Sequence, residues 1–488
     1  MSTDRPPRPA LLAALRRDLS GHVLERGDPR RARTLALDNG RVRVEPALVI
    51  LPRSAADVGA AVRFARDQGL PLTVRGGGHG ATGQCLNRSG VVLDTRLMRQ
   101  VRLDRDRQVL RAGAGALWED LHAHPALRDG PLVAVGASTP QVGVAGSLLG
   151  GAYSFVSRSY GLGSDSLEAL ELITPEGTPR TVGTHSADPA DRELFWASRG
   201  GGGGNFGVVT ALELRVHRLP AGTVCGSQLV YPLERAREIL PLYDEWIETV
   251  PDGLTVYCHL STTPGPTGPG RPLWTLTLTS TYDGGRDEAV ELLRPLLRLS
   301  PLRTLWRRTA LPAWEREVGA LTAVAGRRAY IRSGHLPPRS LTPDVVDVLL
   351  HFMECSPSPH NVMMWTHSGG AVARAPEEAG ACAHRDSRLV YTLKALWDEE
   401  SATRSNVSWA YDFGEALRPY VTGAFVCQLD PLQTRWRSMY YGAFEDRLLA
   451  AKRRFDPDGF FRFRQSVDSS FEPTGTRPLD LSVLEPAE

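Results

Sequence analysis

The chain has 488 residues, 42% of them hydrophobic, and its 57 basic and 55 acidic side chains leave a formal charge of +2. A chain of this length has room for two or three domains of ~100–200 residues and a large core. The near-balanced charge excludes a dedicated polyanion binder, so no nucleic-acid partner is expected.

Six scattered cysteines show neither CxxC nor any metal-ligand spacing, which points to free thiols in a reducing compartment and to no metal site. Basic charge is almost all arginine, with Lys394 and Lys452 the two lysines. Residues 1–45 read as a peripheral lead-in with one short helix around Pro9 to Ser20. Its apolar run is broken by Arg16 and Arg17 and is too short for a signal peptide. No stretch approaches the ~18 apolar residues of a membrane span, so a soluble, cytoplasmic monomer or homodimer is expected.

From Ala47 the pattern becomes regular. A strand, ALVILP, leads to a helix opened by Ser54 with Asp57 three residues on, carrying Val58, Ala61, Val62 and Ala65 on one face until Gly69. A second strand ends at Arg75 and runs into Gly76, Gly77, Gly78, His79 and Gly80, before a third short strand at Val91 to Leu93. Glycines at that density uncover backbone N–H groups and let the main chain approach a diphosphate or a flat ring. The residues that follow (Gln84, Cys85, Asn87, Arg88, Ser89) carry no helical period, so a nucleotide here meets a loop between strands and not a helix N-terminus. An ordinary tight turn is the plainer alternative.

Two further glycine clusters follow. Residues 133–167 interleave seven glycines with small apolar residues, too many for a helix or strand that must stand alone, since glycine costs about 1 kcal/mol per helical position. Gly200 to Gly204, Asn205, Phe206 and Gly207 then precede an alternating strand through Val208, Thr210, Leu212, Leu214 and Val216. Residues 220–425 mix alternating runs (273–282, 327–334) with helical ones (287–299, 343–353), an α+β pattern of an antiparallel sheet covered by helices. The PGPTGPG stretch at 264–270 reads as a turn or mobile excursion. A helix at about 444–454, ended by Asp456 and Pro457, precedes FFRFRQS.

RGGGHGATG, STPQVGVAGSLLGGAY, RGGGGGNFG and the stretch from Tyr440 to Gln465 together resemble the FAD-linked oxidases with a vanillyl-alcohol-oxidase-type (PCMH-type) flavin domain, in the berberine-bridge-enzyme-like branch, over residues 45–468. The resemblance implies a discontinuous flavin domain, 46–219 plus a returning segment 426–475, a substrate domain 220–425 and a tail 476–488. It implies FAD bonded to His79 through the 8α-methyl. Thr139 stands where bicovalent members carry a second, cysteine link, and Cys85 lies on the wrong segment for it, so a single link of the 6-hydroxynicotine-oxidase type is implied. Other cofactor contacts are implied at Arg75, Gly76, Gly77, Gly78, Gly80, Thr139, Val142, Gly143, Gly146, Gly150, Tyr153, Gly203, Asn205, Gly207, Val209 and Gln465, with Val142 gating oxygen.

The same resemblance implies hydride transfer from a small-molecule alcohol or amine to FAD, with dioxygen reoxidising the flavin to give hydrogen peroxide. Tyr440 is expected as the general base, with Tyr441 and then His384 behind it; His367, Arg385 and Tyr391 are further candidates to face substrate. Phe444 and Glu445 replace an asparagine and an aromatic residue of the usual motif, which removes the asparagine's polar contacts. Two other readings stay open: a flavin-bearing sequestering or resistance protein with little turnover, and a dehydrogenase that passes electrons to another acceptor.

Overall fold

The computed structural model describes residues 9–263, 273–319, 324 and 326–470; the expected turn at 264–270 and the tail 476–488 lie outside them. The helix at the N-terminus, Pro9–Asp18, packs Leu12 and Leu15 onto Val58, Ala61 and Val62 of helix Ala55–Asp67. That helix starts as its sequence requires: the Ser54 hydroxyl accepts the Asp57 N–H at 3.2 Å. It ends at Gly69, whose φ of 64° lies in the left-handed region.

Strands Leu48–Leu51, Val91–Asp94 and Leu72–Arg75 pair in parallel in that spatial order, with His22–Leu24 added antiparallel at the edge. The chain between Leu72–Arg75 and Val91–Asp94 therefore leaves and re-enters one sheet, and the first glycine loop emerges at its end. A second, five-stranded antiparallel sheet holds Val208–Arg215 at its centre. The C-terminal helix Glu445–Phe455 buries Leu448, Ala451 and Phe455 in the same core as Leu194 and Phe195 of helix Pro189–Ser198.

Residues 224–397 build a seven-stranded antiparallel sheet, in the spatial order Arg303–Thr309, Val224–Pro232, Leu273–Tyr282, Leu254–Thr263, Val362–His367, Leu389–Trp397, Arg328–Leu336. Side chains alternate between faces along each strand. Leu389, Tyr391, Leu393, Ala395 and Trp397 pack under helices Ala236–Trp246, Pro343–Glu354 and Thr403–Leu417, while Val390, Thr392 and Lys394 face the other way. Met364 and Thr366 alternate with Met363 and Trp365 in the same manner. One face of this sheet is thus a core and the other a cavity wall.

Four buried histidines, His122, His259, His335 and His367, are held neutral, each with its pKa pushed below 6.5 chiefly by burial. His367 Nε2 meets the Arg158 guanidinium at 2.9 Å, and His122 stands 3.4 Å from Glu315, a carboxyl that burial keeps protonated. As pH falls through 6.5 the unfolded chain takes up protons at these histidines that the folded chain refuses, so their contribution is complete above 6.5 and drains toward about 4. Glu315 and Asp244, the latter raised to about 6, act in the opposite sense. The lowered histidines outnumber the two opposing carboxyls, so stability is lost on balance as pH falls through 6 toward 5. The melting midpoint should fall clearly from pH 7 to pH 5; a midpoint that holds or rises would contradict neutral histidines.

Candidate active site

A cavity of 960 Å³ runs between the glycine loops and the bare face of the seven-stranded sheet. It is at the upper end of the ~300–1,000 Å³ typical of ligand sites. Gly76, Gly77, Gly78, His79 and Gly80 enter it from the first loop. Thr139, Val142, Gly143, Gly146, Gly150 and Tyr153 enter from the second, and Gly203, Asn205, Gly207 and Val209 from the third. The sheet contributes Tyr257, Ala329, Ile331, Met364, Thr366, Val390, Thr392 and Lys394, and the 425–429 segment adds Phe425, Cys427 and Gln428.

The loops touch through backbone. A Cβ on Gly77 would lie 2.3 Å from Gly143 N, so that position admits no side chain, and one on Gly150 would lie 2.2 Å from Cys427 Sγ and displace that thiol. Asn205 ties the third loop down: its Nδ2 donates to Gly201 O and Gly202 O, its Oδ1 accepts the Val467 N–H at 3.0 Å, and Lys452 Nζ donates to its carbonyl at 2.7 Å. The result is a long cradle walled by peptide groups along one side. That is what a dinucleotide with a flat ring requires, and the cradle fits FAD in that respect. His79 stands in it with its Nδ1 3.4 Å from Asp38 Oδ2. Cys85 and Cys427 also face the cavity, but burial pushes their thiols up to about 11 and about 12, so neither is a thiolate near neutral pH.

Four expected residues stand elsewhere. Arg75 lies behind the first loop, donating to Asp94 at 3.1 Å and to Ala36 O at 2.8 Å, and a Cβ on Gly78 would strike its guanidinium. Gln465 is buried and donates to Asp430 O at 2.8 Å. Tyr440 packs into the core, where its hydroxyl accepts the Asp430 N–H at 2.7 Å, and burial raises its pKa well above 10. His384 meets Met439 O through Nε2 at 2.9 Å, and its ring lies tilted against that of His335, centroids 5.1 Å apart. The structure does not bring Tyr440 or His384 to the cavity; both hold the 424–440 region together. Tyr441, one residue on, does line it.

The other substrate-facing candidates are also occupied. His367 serves Arg158, Arg385 is paired with Asp165 at 2.6 Å, and Tyr391 lies on the helix side of the sheet. Sequence reasoning missed Asp38, Tyr257, Thr392, Gln428 and Lys394. Lys394 had one signal, a lysine set in the apolar strand Leu389–Trp397 of a chain with two lysines. Burial lowers its pKa to about 8, with Asp38 opposing the shift. Thr392 Oγ1 donates to Gln428 Oε1 at 2.9 Å beside it. Among the described residues no group of three or more His, Cys, Asp or Glu side chains forms a metal site, and no helix is long and apolar enough to cross a membrane.

Two family models match the chain. One, described as an FAD binding domain, covers residues 46–183, and one described as berberine and berberine like covers residues 424–468. An FAD-linked oxidoreductase of Bacillus subtilis, YvdP, is 28% identical over 461 residues, 93% of this chain and 99% of that protein. (R)-6-hydroxynicotine oxidase of Paenarthrobacter nicotinovorans is 39% identical over 188 residues, 38% of this chain and 40% of that one. The fold is similar to that of Physcomitrella patens BBE-like 1, with a TM-score of 0.83, 21% identity and coverage of 94% and 98% of the two chains. With both models matched in order and a relative aligned nearly end to end, the chain is similar to the berberine-bridge-enzyme-like FAD-linked oxidoreductases.

Proposed function

We propose that this protein is an oxidase of a small-molecule alcohol or amine, with FAD bonded once, through His79, and with dioxygen as the electron acceptor. The observation that carries the reading is the continuity of the cavity, in which the glycine cradle on one side faces a sheet wall carrying Lys394 on the other. FAD supplies hydride acceptance when bound. The chain supplies the rest: the three glycine loops orient the ring, and Ile331, Met364, Val390 and Phe425 offer an apolar surface to the substrate. Thr366, Thr392 and Gln428 offer hydrogen bonds to its polar edge. Lys394 takes the hydroxyl or amine proton, since an amine that titrates near 8 is close to the operating pH of a general base. Cavity size and this mixed wall suit a ring-bearing metabolite or sugar-like alcohol. The flavin domain is proposed as 46–219 with the returning segment 426–475, and the substrate domain as 220–425.

The relatives support the acceptor unequally, one being named an oxidase and another an oxidoreductase. Val142 lies on the cavity wall, half-buried, its carbonyl accepting from Trp118 N–H at 3.0 Å. Its short side chain suits a passage for dioxygen through a close-packed wall. Substrate added without air should bleach the flavin, and air should restore the yellow form rapidly with hydrogen peroxide as product. Val142→Leu should slow only the second step, by roughly tenfold or more, the effect of one added methylene in a tight apolar site. Reduced wild-type protein that stays bleached in air for many minutes would favour a dehydrogenase.

A further inference from the structure

Asp38 reaches the cavity from the lead-in segment, where its charge bears on Lys394 and its side chain stands beside His79. Its own N–H donates to Gly78 O at 3.2 Å. Its neighbour Asn39 fastens the same turn from both sides: Nδ2 donates to Ala81 O at 2.7 Å and to Ala329 O at 2.9 Å, and Oδ1 accepts the Ala329 N–H at 2.9 Å. The backbone that carries Asp38 is thus bonded to the first glycine loop and to a strand of the sheet. Its Oδ2 stands 3.4 Å from His79 Nδ1, the two side chains 22% and 21% exposed, and both line the cavity.

We propose that Asp38 is a positioning residue for cofactor attachment, holding the His79 imidazole and receiving the proton that the ring sheds as the bond forms. The proposal rests on the histidyl link put forward above. A carboxylate against Nδ1 selects the tautomer protonated there and leaves the Nε2 lone pair as the nucleophile. The arrangement is the general one of a nucleophile steered by a neighbouring base. In the attachment, Nε2 forms a C–N bond to the 8α-carbon, the 8α-methyl gives up one proton, the Nδ1 proton passes to Asp38, and two electrons remain on the flavin. Dioxygen then takes those two electrons and two protons and leaves as hydrogen peroxide. The sum is a methyl C–H, an imidazole N–H and O2 giving a C–N link and H2O2.

The full-length variants Asp38→Asn and Asp38→Ala, with Asp38→Glu as the conservative change, test it. The Asp38 backbone bond to Gly78 survives all three. Each variant should fold and hold FAD, as read from its melting midpoint and visible spectrum. The fraction of flavin that survives denaturation should rise about 10²-fold more slowly in the asparagine and alanine variants during incubation with FAD in air, the order expected for loss of a proton acceptor. Asp38→Glu should recover much of the rate. Added formate should speed attachment in Asp38→Ala and leave His79→Ala without any, which a packing role for Asp38 does not produce. Attachment at the wild-type rate in Asp38→Asn would overturn the proposal, as would a folded, FAD-loaded Asp38→Ala that ignores formate. Wild-type protein with no covalent flavin would overturn the histidyl link itself.

Discussion

Lys394→Met should slow reduction of the flavin by substrate about 10²- to 10⁴-fold, the usual weight of a general base, while the flavin stays bound. Methionine keeps most of the apolar stem beside Ile331, a cross-strand neighbour of Lys394, so packing changes little and the loss falls on the proton. The pH dependence carries the sign. Lys394 titrates at about 8 and only its uncharged form accepts a proton, so the reduction rate of the wild type should rise with pH and level off above about 8. That rising limb should be absent in the methionine variant. Tyr440→Phe is the internal control: its hydroxyl serves Asp430 N–H and not the cavity, so flavin reduction should be untouched. Rapid-mixing measurements under anaerobic conditions decide the matter. An unchanged rate in Lys394→Met would move the base to Tyr441 or Tyr257, both of which line the cavity.

His79→Ala should release all flavin from acid-denatured protein, where the wild type keeps its yellow colour in the precipitate. The cradle is made mainly by glycine backbone, so the variant should still bind FAD in the native state, with the loss confined to the bond. Peptide mass analysis of the wild type should find one flavin adduct, at His79. Cys85 and Cys427 face the same cavity, but their thiols are pushed up to about 11 and about 12, and Thr139 offers no thiol at all. An adduct on either cysteine, or a wild-type supernatant that holds all the flavin, would defeat the single-link reading.

The glycine loops were legible in the sequence because so few conformations need that many glycines, and a strand on each side fixed where the loops emerge. The alternation in Leu273–Tyr282 likewise admitted a single reading, and the strand has those bounds. Tyr440, expected at the site, lies outside the cavity lining for a geometric reason. Tyr440 and Tyr441 are successive residues of helix Trp436–Tyr441, and successive side chains on a helix diverge by about 100°. A motif places the pair but does not say which member faces the ligand. Asp38 was invisible because it sits in an irregular segment with no period to assign its face, and its own bond to Gly78 with the Asn39 bonds to Ala81 and Ala329 brings it to His79. Lys394 was visible as a lysine in an apolar strand, yet the pairing of Leu389–Trp397 between two other strands was needed to show that its side of the sheet is a cavity.

Arginine supplies 55 of the 57 basic side chains, and the two lysines are both withdrawn from the surface, Lys452 at 0% exposure and Lys394 in the cavity wall. Bulky amine-directed reagents therefore meet no lysine on the outer face. A small carbonyl or ester reagent able to enter the cavity would instead find Lys394, and a ligand seated against the sheet would shield it.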